Sequence, residues 1–147
     1  MVTIRKAILN DLAQIFDLEK KIFTPAFSHE DLHRELTKNP YSLTTVLLEQ
    51  EKIIGFSILW TLFEQAQIVQ IAIDNDFRNR GYGKLLMENM ICNAKQKGCE
   101  FISLEVRVSN NDASNFYNRF HFKKATIRKN YYKDPSEDGI LMWRSLL

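Results

Sequence analysis

The 147-residue sequence has few cysteines, little net charge and no long apolar run. Its two cysteines, Cys92 and Cys99, lack the paired spacing of a metal-binding or redox motif, and no secretory signal precedes them. We therefore expect reduced thiols in a cytoplasmic protein. A formal charge of +2 does not by itself indicate nucleic-acid binding. The longest apolar runs have the length of strands, far short of the roughly 20 residues that span a membrane. These limits predict one domain over residues 1–147 without a membrane segment.

Two familiar phosphate-binding motifs are also missing, although residues 67–86 have the layout of a phosphate site. This stretch, QIVQIAIDNDFRNRGYGKLL, begins as an apolar β-branched strand, turns at Gly81 and Gly83, and continues as a helical stripe. Glycines at such a turn leave backbone N–H groups free at the positive end of a helix dipole, which favours phosphate. A Walker loop requires Gly at position 78 and Ser or Thr at position 85, and a dinucleotide fingerprint requires Gly at position 86. The residues there are Arg78, Leu85 and Leu86, so both motifs are excluded.

The remaining elements follow from apolar periodicity, capping residues and turn residues. Asn10 is expected to cap a first helix, and Ser28 a second one with Asp31 in the capping-box position. A third helix should end at Lys97-Gly98. The expected strands and the last helix are: strands over residues 2–8, 42–49, 53–61 and 101–108, a helix over 111–120, and strands over 122–128 and 139–146 joined by a polar loop at 130–138. This order combines an antiparallel meander with βα units and predicts a mixed α/β sheet with helices on both faces.

The loop Arg78-Asn79-Arg80-Gly81-Tyr82-Gly83 resembles the pyrophosphate loop of the GNAT acetyltransferases, Q/R-x-x-G-x-G/A. A second part of the family pattern, a strand ending in Asn before a helix with Ala and Tyr, is matched by Asn110, Ala113 and Tyr117. Residues 104–107 (LEVR) and 125–132 (ATIRKNYY) resemble the bacterial ribosomal-protein alanine N-acetyltransferases of this family. The resemblance implies a mixed, mostly antiparallel sheet that is splayed at its middle. It also implies acetyl-CoA as co-substrate in the wedge, without a metal.

The resemblance also implies two catalytic residues. Glu105, a lone acid in an apolar strand, would act as the base, and Tyr117 would protonate the departing thiolate. Each has a structural alternative: Glu105 could pair with Arg107 on the same strand face, and Tyr117 could be core packing beside Phe116 and its aromatic neighbours.

The implied acetyl-CoA contacts fall in three places along the chain. The phosphates would meet the loop, and a backbone N–H of the central strand would polarise the thioester carbonyl. Asn110 and Tyr117 would contact the pantetheine arm. The predicted cofactor-binding residues in the loop and strand are Ile71, Ala72, Ile73, Arg78, Asn79, Arg80, Gly81, Tyr82, Gly83 and Lys84. The alternatives are a solvated basic turn for the charged residues and a simple strand end for Asn110.

Three positions depart from the family pattern. The usual Pro after the central strand is Asn75, and the usual Gly at the end of the short helix is His121. Asn and His tolerate left-handed backbone better than most residues, so the turn can persist. The Pro-Trp-Ser of the subfamily's acceptor groove is replaced within residues 25–28, Pro-Ala-Phe-Ser.

The predicted function is transfer of acetyl from acetyl-CoA to the N-terminal α-amine of a protein. The resemblance implies a small-subunit ribosomal protein that begins with Ala. Three alternatives remain open: a lysine side chain or small amine as acceptor, a catalytically silent CoA-binding module, and nucleic-acid binding through the basic C-terminal region. We expect neither direct nucleic-acid nor membrane contact. His29 and His33 have a spacing that suits zinc, but no third ligand is evident, so we expect no metal. The oligomeric state is left open.

Overall fold

The computed structural model describes residues 1–147 as a seven-stranded sheet with four α-helices. The strands are β1 (Val2–Lys6), β2 (Ser42–Glu49), β3 (Lys52–Leu62), β4 (Gln65–Ile73), β5 (Phe101–Arg107), β6 (Lys123–Tyr132) and β7 (Glu137–Ser145). The helices are α1 (Leu12–Ile22), α2 (His29–Thr37), α3 (Tyr82–Gln96) and α4 (Asn111–Arg119). None of these helices is long and apolar enough to cross a membrane.

The strand order across the sheet is β1-β2-β3-β4-β5-β7-β6. Every neighbouring pair is antiparallel except β4 and β5, which run parallel because α3 carries the chain between them. The prediction of a mixed, mostly antiparallel sheet is therefore confirmed. The one parallel pair lies at the middle of the sheet.

Helices cover both faces of the sheet, as predicted. On one face, α1 and α2 pack over residues such as Val46, Phe56 and Ile58, all fully buried. On the other face, α3 and α4 pack over Ile102 and Leu104 and the strands beside them. Alternation along each strand produces this division, because successive side chains point to opposite faces.

The predicted element boundaries need correction in two places. The polar loop predicted at 130–138 is wrong, because β6 continues to Tyr132 and β7 already begins at Glu137. β6 is an exposed edge strand along most of its length, so it lacks the apolar alternation that marks a half-buried strand. The predicted N-cap Asn10 is also wrong, because Leu9–Asp11 form a 3₁₀ turn and Asp11 precedes α1. The capping box of Ser28 and Asp31 is confirmed, with hydrogen bonds of 3.0 and 3.1 Å.

Candidate active site

The sheet opens between β4 and β5. These strands pair only at Gln65, Ala66 and Gln67, whose last partner on β5 is Ser103. A bulge then breaks the register between β3 and β4, where Ile58 faces Gln70 and Leu59 faces Ile68. An extra residue in one strand bends that strand and increases its twist. Beyond the bulge, β4 has no partner on its β5 side, so a wedge opens there.

The exposed edge of β4 presents alternate backbone groups to this wedge. Asp74 donates its backbone N–H to Ile54 O on β3 at 2.8 Å, and Ala72 is paired with Phe56. Because the groups of an antiparallel strand alternate in direction, Ala72 also faces β3, while Ile71 and Ile73 face the wedge. Two of the three β4 residues predicted to contact the co-substrate, Ile71 and Ile73, therefore point their backbone groups into the wedge.

The turn after β4 presents free backbone N–H groups at the start of α3. Asn79 and Gly81 adopt left-handed φ angles of +64° and +80°, which bring the chain sharply into the helix. The first hydrogen bond of the helix runs from Leu85 N–H to Gly81 O. The N–H groups of the three residues between them are consequently free to bind an anion at the positive end of the helix dipole.

The side chains of this turn serve different purposes. Arg78 donates its Nε to Ile73 O at 3.3 Å, and the Arg80 guanidinium lies over the Phe77 ring at 5.1 Å. Lys84 is exposed. Two other predicted loop residues lie against the rest of the protein. The Tyr82 hydroxyl donates to Glu49 at 3.4 Å. Gly83 lies so close to the Phe116 ring that an added Cβ would be 3.3 Å from it.

Glu105 lies on β5 two residues beyond the last β4–β5 pair, so its side chain lines the open part of the sheet. That side chain is only 11% exposed. Its Oε1 is 3.7 Å from the Arg128 Nε, a loose ion pair, and its Oε2 is buried without a hydrogen-bond partner. A mostly buried carboxylate with one unengaged oxygen can accept a proton.

The predicted alternative pairing of Glu105 with Arg107 is wrong. Arg107 instead forms an ion pair with Glu137 at 3.3 Å and donates to the backbone oxygens of Lys133 and Pro135. Arg107 thereby fastens the β6–β7 turn to the end of β5. Arg128 is the one cation that forms an ion pair with Glu105.

Two tyrosines beside Glu105 were missed as site residues by the sequence analysis. Burial, followed by the charge of Glu105, raises the pKa of Tyr132 to about 12 and also raises the pKa of the Tyr131 phenol. The Tyr132 ring lies 4.5 Å from the Arg107 guanidinium, which holds it in place. The signal that could have located them is the Asn-Tyr-Tyr string at 130–132, but that string fell in the predicted loop.

Tyr117 and Asn110 lie on and before α4. Tyr117 is buried between the Phe116 and Phe122 rings, so it does contribute to the core. Burial raises the pKa of its phenol well above the ordinary value, and the phenol of Tyr132 adds to this rise. Asn110 caps α4 by accepting the Ala113 N–H at 3.1 Å, which leaves its amide nitrogen without a partner in the cap.

Two of the positions that depart from the family pattern lie in turns. His121 adopts a left-handed φ of +69° after α4, and Asn75 begins a 3₁₀ turn after β4. The two histidines considered for zinc have different partners. His29 packs edge-on against Phe16, and His33 lies within hydrogen-bond distance of Thr37. No group of three or more His, Cys, Asp or Glu side chains is arranged to hold a metal ion.

The sheet opens beside its one parallel strand pair, and a glycine-turned helix start lies at the mouth, which is the arrangement that the resemblance to the acetyltransferases implies. The sequence profile of the Acetyltransferase (GNAT) family matches residues 12–122, and this chain belongs to that family. It is an acetyl-CoA-dependent N-acetyltransferase.

Individual relatives match nearly the whole chain. A Bacillus subtilis protein, described as a candidate [ribosomal protein bS18]-alanine N-acetyltransferase, is 34% identical over 95% of this chain and 93% of its own length. The [ribosomal protein bS18]-alanine N-acetyltransferase of Escherichia coli is 31% identical over 97% of this chain and 96% of its own. The crystal structure of the ribosomal-protein-S18-alanine N-acetyltransferase from Escherichia coli superposes with a TM-score of 0.89, at 30% identity, over 99% of this chain and 94% of that one.

Proposed function

We propose that this enzyme transfers acetyl from acetyl-CoA to the N-terminal α-amine of a ribosomal protein that begins with Ala. The names of the relatives support this acceptor, because bS18-alanine N-acetyltransferases match this chain over 95% and 97% of its length. One structural observation carries the proposal: in the open part of the sheet, the Glu105 carboxylate has one oxygen near Arg128 and one without a hydrogen-bond partner.

The acceptor chemistry fits the modest base that Glu105 would provide. An α-amino group has a pKa of about 7.7–8.0, so a sizeable fraction is neutral at pH 7. A lysine amine, with a pKa of about 10.4, is neutral far less often and demands more of the base. Glu105 would take one proton, directly or through a water, as the amine nitrogen attacks the thioester carbon.

The thioester oxygen would become negative as that bond forms. The backbone N–H groups of Ile71 and Ile73 face the wedge and are candidates to stabilise this oxyanion. The pyrophosphate of acetyl-CoA would bind the N–H groups that follow Gly81 at the start of α3, with Arg78, Asn79, Arg80 and Lys84 beside it. Asn110, through its amide nitrogen, would contact the pantetheine arm.

Collapse of the intermediate breaks the carbon–sulfur bond and leaves a thiolate that needs a proton. An unperturbed thiol has a pKa of about 8.5 and an unperturbed phenol about 10, so full transfer from a tyrosine to a free thiolate is uphill. Burial of Tyr117 increases this difference, since it raises the phenol's pKa. We therefore assign Tyr117 as a hydrogen-bond donor that hands its proton to sulfur only as the bond breaks. The proton that Glu105 took from the amine then passes to the phenolate, so that the net products are the amide and the free thiol and both side chains return to their starting state.

Two peptides of matched sequence test the acceptor. One has a free N-terminal Ala and no Lys, and the other has a blocked N-terminus and an internal Lys. We expect acetylation, followed by mass spectrometry, only on the free N-terminus. Efficient modification of the blocked peptide would overturn the α-amine assignment while leaving the family assignment intact.

A further inference from the structure

Glu19 is a carboxyl group that the proposed chemistry does not use, although it is 0% exposed. It lies on the inner face of α1, in line with Ile15 and next to Leu18, both buried. An ionised Glu is almost never fully buried unless it is paired. None of the seven ion pairs in the structure includes it.

One oxygen of Glu19 holds two other segments of the chain. Its Oε2 accepts the Phe27 backbone N–H at 3.0 Å and the Gln70 Nε2 at 2.9 Å. Phe27 belongs to the α1–α2 loop, where the resemblance to the subfamily implies an acceptor groove. Gln70 lies at the β4 bulge, immediately before Ile71, whose backbone faces the wedge.

The second oxygen of Glu19 and the side-chain oxygen of Gln70 have no hydrogen-bond partner. Glu19 Oε1 and Gln70 Oε1 are both buried, and neither has a hydrogen-bond partner. Two buried acceptors cannot satisfy each other while Glu19 is ionised. A proton on Glu19 Oε1 turns that oxygen into a donor, which a buried amide oxygen such as Gln70 Oε1 can accept.

We propose that Glu19 is a positioning residue that stays protonated and ties the α1–α2 loop to the β4 bulge, thereby fixing the acceptor groove relative to the thioester. This role rests on the proposed acetyl transfer to a protein N-terminus. The protonation itself does not depend on which amine is the acceptor.

The electrostatic surroundings agree with a neutral acid. Burial raises the pKa of the Glu19 carboxyl, against a smaller opposing effect of its two hydrogen-bond donors. No cation forms an ion pair with Glu19. The two lysines that follow it on α1 are engaged elsewhere: Lys20 pairs with Asp17, and Lys21 pairs with Asp74. Arg34 of α2 pairs with Asp31.

Three variants separate the possible roles of Glu19. Glu19→Gln places an amide N–H₂ where the acid proton would be, so a neutral tie is preserved. Glu19→Ala removes the tie, and Gln70→Met removes its β4 end while keeping an unbranched side chain of similar size. We expect near-wild-type kinetics from Glu19→Gln. From the other two we expect a loss of at least tenfold in kcat/KM for the free-Ala peptide, with acetyl-CoA affinity within twofold of wild type.

Infrared spectroscopy reads the proton directly, whichever acceptor is used. The difference between wild type and Glu19→Gln at pH 7 should contain the carbonyl stretch of one protonated carboxyl group. Absence of that band, or a Glu19→Gln variant as impaired as Glu19→Ala, overturns the neutral acid. Unchanged peptide kinetics in a folded Gln70→Met variant overturn the positioning role, even where Glu19→Ala does not fold. Failure of the wild type to acetylate the peptide would refute the proposed function. The infrared result would still show whether Glu19 is protonated.

Discussion

Replacing Gly81 with Ala should weaken acetyl-CoA binding, and the same helix supplies a control for this change. Gly81 precedes α3 with a φ of +80°, and Gly98 follows it with a φ of +81°. At both positions an added Cβ meets no atom within 4 Å. Any effect on the fold should therefore come from the backbone conformation, which is left-handed at both positions.

The magnitude follows from that conformation. A non-glycine residue pays about 1–2 kcal/mol in the left-handed region, which corresponds to a loss of roughly 2–8 °C in Tm for a chain of this size. Both variants should show this loss in a thermal melt. Only Gly81→Ala shifts the turn that aims the free N–H groups at phosphate, because Gly98 lies at the opposite end of the helix. Calorimetric titration should give an acetyl-CoA Kd at least tenfold weaker, about 1.4 kcal/mol, for Gly81→Ala and within twofold of wild type for Gly98→Ala. Equal affinities in the two variants would refute the assignment of this turn to phosphate.

Three further variants test the proton donor Tyr117, the tyrosines beside Glu105, and the loss of stability at acid pH. Tyr117→Phe should lower kcat with little change in acceptor KM, since the hydroxyl acts mainly in the transition state; an unchanged kcat would return the residue to a packing role. Gly139→Ala places a Cβ 3.1 Å from the Tyr132 ring and 3.2 Å from the Tyr131 ring. These two tyrosines lie beside Glu105, where the acceptor amine would react, so peptide KM should rise while acetyl-CoA affinity holds; equal changes in both would contradict this. The hydrogen bonds from Arg5 lower the pKa of Asp11 in the folded protein. The ionised Asp11 therefore stabilises the fold above pH ~4, where the unfolded carboxyl is also ionised, and this stabilisation is lost as the pH falls below this value. Asp11→Asn should flatten the unfolding free energy below pH 4 in urea titrations, and an unchanged slope would assign the acid response to other groups.

The local features of the site were predictable because they depend on neighbours in sequence. The turn at Gly81 and the helix that follows it result from glycine freedom, apolar spacing and free backbone donors, all visible in residues 67–86. The capping box at Ser28 is equally local, and both are present in the structure.

Features that depend on strand register were not predictable in the same way. β6 is an exposed edge strand whose basic and polar residues hide its period, so its last residues were assigned to a loop. Arg128 and Tyr131 reach Glu105 only because β7 lies between β5 and β6 and aligns both. The pairing of Arg107 with Glu137 instead of Glu105 has the same origin.

Glu19 was missed for a different reason. Apolar periodicity predicts the buried stripe of α1 from its apolar residues alone, so it does not mark an acid on that inner face as buried. A charged residue at an inward position, adjacent to buried Leu18, is itself a signal that it has polar partners from distant segments.

The pH dependence of turnover by Glu105→Gln tests the central claim most directly, because this change keeps the shape of the side chain and removes only its capacity to accept a proton. With the free-Ala peptide at pH 7, kcat should fall by roughly 10²-fold. Part of that loss should be recovered as the pH rises through about 8, where the α-amine loses its own proton. Near-wild-type kcat at pH 7, or a loss that is independent of pH, would contradict Glu105 as the base for an N-terminal amine.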